Sequence, residues 1–278
     1  AVRLLNRYAA DAMRSCASAR VGRRRHATMV ALLVTASMSV ACAASASPFA
    51  LTRVADGVYV HQGRHAPWAE HGHADVANIG VVVGKVCAAV IDTGGSPEVG
   101  SALLDALRAQ TDVPVCYVIN THGHPDHVLG NHAFAQLSPR PRFIGHARLA
   151  AALSSRGPYY LNALGLTSAL TPAPDWLIAP DEEVGSESRL DLGGRLLTLK
   201  AWPTAHTDQD LTVLDEATAT LFTGDLIFDG HLPVIDGKLV GWLAVMDTLA
   251  RTHANLVVPG HGNPAADIVA AMAPQRRY

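Results

Sequence analysis

Positive charge is scarce in most of this chain. Residues 47–278 hold 15 Lys/Arg (22 in the whole sequence, less seven in residues 1–46) against 23 Asp/Glu (24 less one), a net charge of −8. They contain no Lys/Arg-rich stripe. A nucleic-acid partner is therefore disfavoured, because phosphates are held chiefly by clustered positive charge. Charged residues of both signs make up 17% and hydrophobic residues 49%. That balance excludes a largely disordered chain, and 278 residues give ample material for a buried core. No apolar run is long enough to make a good transmembrane helix. No internal repeat of short period is visible. Cysteine is nearly absent, with four in all and two beyond residue 46, Cys87 and Cys116. Neither has the spacing of a zinc knuckle. Both lie in apolar, strand-like runs and are expected as buried free thiols. Side-by-side strands rarely offer disulfide geometry, although an exported protein would meet the oxidant needed to join them.

The longest apolar run, MVALLVTASMSVACAA from Met29, follows Arg23, Arg24 and Arg25 and leads into Ala44-Ser45-Ala46. Basic residues, a short apolar stretch and a small-residue site are the three parts of a secretory signal. The expectation is cleavage near Ala46, with residues 1–22 lying before the start of that signal. Residues 1–46 are then an extension and signal peptide. Residues 47–278 are one domain, periplasmic or secreted, with no stable membrane span. A retained anchor is the alternative. Cys42 is preceded by Ser39, a poor start for a lipoprotein site. The paired arginines lack the apolar residues that should follow closely in twin-arginine export.

Beyond residue 46 the apolar pattern alternates between strands and helices. Strands are expected at 58–60, 78–83, 86–92, 115–120, 143–145, 189–192, 196–201, 211–215, 220–222 and 256–258. Ser96 suits a helix N-cap and Pro97 the first turn. Val99, Ala102, Leu103, Ala106 and Leu107 follow at helical spacing. Further helices are expected over 147–153 and across Leu239, Trp242, Leu243, Met246 and Leu249. Residues 154–180, rich in Pro, Gly, Ser and Tyr, read as a long irregular insert. Strand, helix, strand order indicates an α/β sandwich.

The chemistry concentrates in THGHPDH, residues 121–127, just after the apolar run VPVCYVIN. Imidazole and carboxylate donors suit zinc, and also iron or manganese. On a loop at a strand's end, His122 and His124 can meet one metal while Asp126 and His127 face another. His206 in PTAHTDQD, Asp225 in LFTGDLIF and His261 in VVPGHGNP each follow an apolar run. Each alone reads as a hydrogen-bonded core or surface residue. As an ordered set they read as a metal centre. Asp225 has no histidine at short spacing, so a Ser-His-Asp reading finds no support.

That ordered set, THGHPDH, AHT, TGD and PGHG, with IDTGG before it, resembles the metallo-β-lactamase-fold superfamily over roughly residues 51–270. The resemblance implies a four-layered αββα sandwich with a two-metal site at the edge between its sheets. It implies that His122, His124 and His206 hold the first metal and Asp126, His127 and His261 the second, with Asp225 bridging. Asp92 would orient the metal loop through hydrogen bonds. Two zinc ions are implied. Such a pair, ~3.5–4 Å apart, lowers the pKa of a shared water toward neutrality and polarises the substrate. Asp126 would also steer the nucleophile or relay a proton.

Lactamases of this fold commonly carry Cys or Ser where Asp225 stands. Nor does a Lys follow it, in LIFDGHL, to meet a β-lactam carboxylate. These departures favour an ester, thioester, lactone or related bond in a small molecule over a β-lactam. The flanking text VCYVINTHGHPDHVLGN and AVIDTGGSPEVG, with the export signal, resembles the quinoprotein relay system zinc metallohydrolases. That implies a functional link to a quinoprotein dehydrogenase but names no substrate. A sulfur-metabolising relative is equally in reach. The competing readings are a metallo-β-lactamase, a mono-iron persulfide dioxygenase of the same fold, and a non-catalytic metal binder. Trp68, His71 and His73, between two early strands, are expected as a flap over the substrate. Tyr159 and Tyr160 are similar candidates. His132 and His146 read as structural, and His231 as a loop residue set apart from Asp225.

Overall fold

Strands with apolar residues on both faces need a packing layer on each side, and that requirement orders the molecule. The computed structural model describes residues 49–65, 74–165 and 175–278. Seven strands form one sheet: β1 (Thr52–Ala55), β2 (Val58–His61), β3 (Ile79–Val83), β4 (Ala88–Ile91), β5 (Val115–Ile119), β6 (Arg142–His146) and β7 (Glu182–Val184), in that spatial order. Pairing is antiparallel from β1 to β4 and parallel from β4 to β7. The second sheet holds β8 (Glu187–Asp191), β9 (Leu196–Ala201), β10 (Leu211–Asp215), β11 (Thr220–Phe228) and β12 (Leu256–His261). Its order is β12-β11-β10-β9-β8, with only β11 and β12 parallel.

Period-two alternation splits each strand between two cores. Val82, Ala89, Ile91 and Ile119 of the first sheet meet Leu199, Leu211, Val213 and Phe222 of the second in the central layer. Their neighbours Ile79, Val81, Val90 and Val118 point the other way, onto Val99, Leu103 and Leu107 of α1 (Pro97–Arg108). Leu221 and Val257 face Trp242, Val245 and Met246 of α5 (Leu239–Leu249) and Met272 of α6 (Ile268–Arg277). The result is helix, sheet, sheet, helix, as the αββα expectation has it. Each fully buried Leu, Ile or Val contributes ~1.5–3 kcal/mol relative to exposure. Among the described residues no helix is long and apolar enough to cross a membrane.

The first layer forms where the sequence marks it. Ser96 caps α1 by accepting from Val99 N, Pro97 opens the helix, and Glu98 and Arg108 complement its dipole. Several expectations need correction. Residues 154–163 are not irregular: α4 (Leu149–Ala163) is one helix of 15 residues that runs through Gly157 and Pro158. Packing overrides the breakers, since Leu149, Leu153 and Leu161 bury against Trp176 and Leu177. A Cβ on Gly157 would run into Leu177. Asp225 does not follow its strand but lies inside β11, and His261 ends β12. The strands β1 and β7, the short helices α2 (Pro125–Val128) and α3 (Asn131–Ala135), and α6 carry no clear apolar period in sequence.

Cys87 and Cys116 are not free thiols. They form a disulfide with Cα atoms 5.7 Å apart. The ladder between β4 and β5 slips: Ala88 pairs with Val115 and Ala89 with Tyr117. Cys116 is thus the extra residue, released from the alternation that makes neighbouring strands poor sites for a bridge.

Candidate metal centre

The loops after β5 and β9, the middle of β11 and the end of β12 converge. The structure brings together His122, His124, His206 and Asp225 as one group and Asp126, His127 and His261 as a second. In the first group, His124 Nδ1 lies 3.0 Å from His122 Nε2 and 3.1 Å from His206 Nε2. Asp225 Oδ2 lies 3.7 Å from His122 Nε2 and 3.4 Å from His206 Nε2. The other oxygen serves the second group. Asp225 Oδ1 lies 3.2 Å from His127 Nε2 and 3.4 Å from His261 Nε2, while Asp126 Oδ2 lies 3.6 and 3.2 Å from the same two nitrogens. Tetrahedral zinc with bonds of ~2.0–2.1 Å spaces its ligand atoms ~3.3–3.4 Å apart. Four spacings within the first group, and four of Asp126 and Asp225 to His127 and His261, fall around that value.

Hydrogen bonds on the far side of each ring fix where the lone pairs point. His206 Nδ1 donates to Val234 O at 2.8 Å and His261 Nδ1 to Val76 O at 2.9 Å. His127 Nδ1 donates to Asp92 Oδ2 at 2.8 Å, and His124 Nε2 to Asp236 Oδ2 at 3.2 Å. Thr121 Oγ1 donates to Asp92 Oδ2 at 2.7 Å, so it accepts from His122 Nδ1 at 3.2 Å. Each neutral ring therefore turns a bare nitrogen inward. With all five rings neutral, five imidazole lone pairs and two carboxylates face one another with no donor among them. His127 Nε2 and Asp225 Oδ1 are buried without any hydrogen-bond partner. Such a donor set fits cations.

The electrostatics agree. Burial alone would lower His127 and His261, but Asp225 and Asp126 outweigh it, holding His127 well above its ordinary value and His261 up at about 10. Burial, with neighbouring imidazoles adding to it, keeps His122 well below its ordinary value and His206 at about 4 despite Asp225. Burial would raise Asp126 and Asp225. The surrounding histidines reverse that, holding Asp126 at about 2 and Asp225 well below its usual range. The carboxylates of Asp225 and Asp126 thus draw positive charge to the second group.

Local backbone places these groups. Asp92, where IDTGG leaves β4, sits at φ 58°, a left-handed conformation that Asp tolerates better than most residues. From there it accepts from Thr121 N (2.8 Å), Thr121 Oγ1 and His127. Gly224, at φ 50°, brings β11 against Thr121, where a Cβ would collide. Pro125 opens α2, which turns Asp126 and His127 toward the second group. Asp210, raised to about 6 by burial despite its bonds from Thr207, ties the turn that carries His206.

Sequence reasoning missed Asp236 and Asn78. Asp236 also accepts from Tyr160 Oη at 3.0 Å. The bonds from His124 and Tyr160 hold it well below the usual carboxylate range. Asn78 donates to Pro259 O and Gly262 O, both at 2.9 Å, and pins the turn around His261. No local pattern marks either residue. His231 does reach the site, with its ring 5.3 Å from that of His261. His146 accepts from Arg148 N, and His132 lies 3.7 Å from Asp175. Trp68, His71 and His73 lie outside the described residues.

A cleft of about 460 Å³ opens between the described residues above the second group. Asp126, Asp225 and His261 form its floor, and Tyr159, Tyr160, Phe228, Leu232 and Val234 its walls.

A sandwich with such a centre at its sheet edge defines a class of metal-dependent hydrolases. The chain belongs to the metallo-beta-lactamase superfamily, whose model matches residues 73–261. Solved structures agree in fold. A metallo-beta-lactamase from Pontibacter korlensis is 21% identical with a TM-score of 0.66, covering 83% of this chain and 100% of its own. TMB-1 is 20% identical with a TM-score of 0.63, covering 82% and 97%. The DIM-1 metallo-beta-lactamase, solved after exposure to ceftazidime, is 18% identical with a TM-score of 0.63, covering 82% and 95%. No curated protein matches the chain.

Proposed function

We propose that this chain is an exported zinc hydrolase that cleaves an ester, thioester, lactone or related bond in a small molecule. The observation that carries the reading is the ring of inward lone pairs split between the two oxygens of Asp225. His122, His124 and His206 would hold one ion, Asp126, His127 and His261 the other, and Asp225 both. Bound ions lower the pKa of a coordinated water and polarise the scissile carbonyl. The chain's own residues do the rest. Asp126, on the cleft floor, is placed to steer the attacking water or relay its proton. Phe228 and Trp242 pack against His206 and keep solvent from that side. The leader-like residues 23–46 support export to the periplasm or beyond. The Cys87–Cys116 bridge supports an oxidising compartment. The flanking motifs support a working link to a quinoprotein dehydrogenase.

Asp225, and the lack of a Lys in LIFDGHL just after it, argue against a β-lactamase. A mono-iron dioxygenase needs only one group of donors, and the second group has its own. The test is Asp225→Ala. The variant should stay folded, lose at least one ion, and lose more than ~100-fold in turnover across a screen of esters, thioesters and lactones. A variant with its full metal complement and full activity would overturn the assignment.

A further inference from the structure

The cleft wall bears on what part of a substrate it can hold. Leu232, Val234 and Tyr159 line it with 71%, 61% and 70% of their surface exposed. Apolar groups left this open beside a polar floor mark a binding surface. Equally informative is what the wall lacks. No Lys or Arg lines the cleft among the described residues. The two internal stretches outside that description, 66–73 and 166–174, contain none in their sequence.

Among the described residues Arg156 is the one Lys or Arg beside the neighbouring depression, and two carboxylates flank it. Its Nη1 lies 3.4 Å from Asp208 Oδ1 and 3.7 Å from Asp236 Oδ2, two carboxylates that offset its charge. Arg64 is likewise paired with Asp75, at 3.2 Å. A substrate carboxylate or phosphate placed against this wall would leave water and meet no Lys or Arg that lacks a carboxylate partner.

We infer that the substrate presents an uncharged, apolar acyl chain or ring to this wall. Resting on the hydrolase reading above, this narrows its substrates to neutral apolar acyl compounds. In the reaction a bond forms between the acyl carbon and the oxygen of water, and the bond from that carbon to the leaving oxygen or sulfur breaks. One proton of the water departs on the alcohol or thiol, and the other enters solvent as the acid ionises.

The test compares two 4-nitrophenyl esters with the metal-loaded protein: the hexanoate, and the adipate monoester with a carboxylate at the far end of the same chain. The readout is kcat/KM, which is insensitive to non-productive binding of the carboxylate at the metals. The hexanoate should be favoured at least tenfold. Leu232→Lys, at an exposed wall position, should bring the adipate up relative to the hexanoate by a similar factor. Equal rates, or a preference for the adipate in the parent protein, would overturn the inference and leave the hydrolase reading standing. Hydrolysis of neither ester, with thioesters and lactones also untouched, would remove the hydrolase reading and the inference with it.

Discussion

Replacing Asp92 by Asn changes little in shape and should still disarm the metal centre. Asn tolerates the left-handed backbone that position 92 requires. The side-chain orientation is dictated by its neighbours. Thr121 N can only donate, and it meets Oδ1 at 2.8 Å, so the amide oxygen must take that place. The amide nitrogen then faces His127 Nδ1 and Thr121 Oγ1, where Asp92 Oδ2 now accepts from both. His127 would have to accept at Nδ1 and carry its proton on Nε2, the nitrogen that faces Asp225 and Asp126. Thr121 would turn its own proton toward His122 Nδ1, with the same effect on the first group. Loss of such an orienting partner weakens metal binding ~10–100-fold, or ~1.4–2.8 kcal/mol. Competition against a chromophoric zinc chelator measures this, with circular dichroism as the check on folding. A folded Asp92→Asn protein that holds zinc as tightly as the parent would refute the hydrogen-bond argument.

Two further outcomes concern stability. Arg195 grips Asp215 with two bonds, Nε at 2.8 Å and Nη2 at 2.7 Å, and the Asp215 side chain is fully buried. Asp215→Asn should cost ~3–5 kcal/mol, read from urea unfolding at pH 7. Burial opposes the charge on Asp215, but bonds from Arg195 and Thr218 outweigh it and depress its pKa. Its contribution is therefore present above the unfolded value of ~3.9 and fades as pH falls through the lower folded value. Parent and variant midpoints should converge below about pH 4; a gap that stays constant there would contradict this. Reducing the Cys87–Cys116 bridge, whose ends are 29 residues apart, should cost ~3–4 kcal/mol. An unchanged urea midpoint in reductant would contradict that.

The candidate donor groups were legible because their members lie near strand ends or in short motifs, where local order puts several donors together. THGHPDH alone supplies four of the seven, and apolar runs announce the other three. The partners that orient those ligands were mostly illegible. Asp236 meets His124 across 112 residues, and the carbonyls of Val76 and Val234 have no side-chain signature. Asp92 was the exception, because IDTGG carries it. The length of α4 was hidden by Gly157 and Pro158, whose cost is offset by Leu177 and Trp176 from a distant segment. The disulfide was hidden by a ladder slip that depends on how β4 and β5 meet, not on either strand alone.

Metal content per chain, by elemental mass spectrometry on protein purified without added metal, tests the central claim most directly. The proposed function, with one oxygen of Asp225 facing each group, predicts close to two zinc ions. One iron with little zinc, or no bound metal at all, would contradict a di-zinc hydrolase.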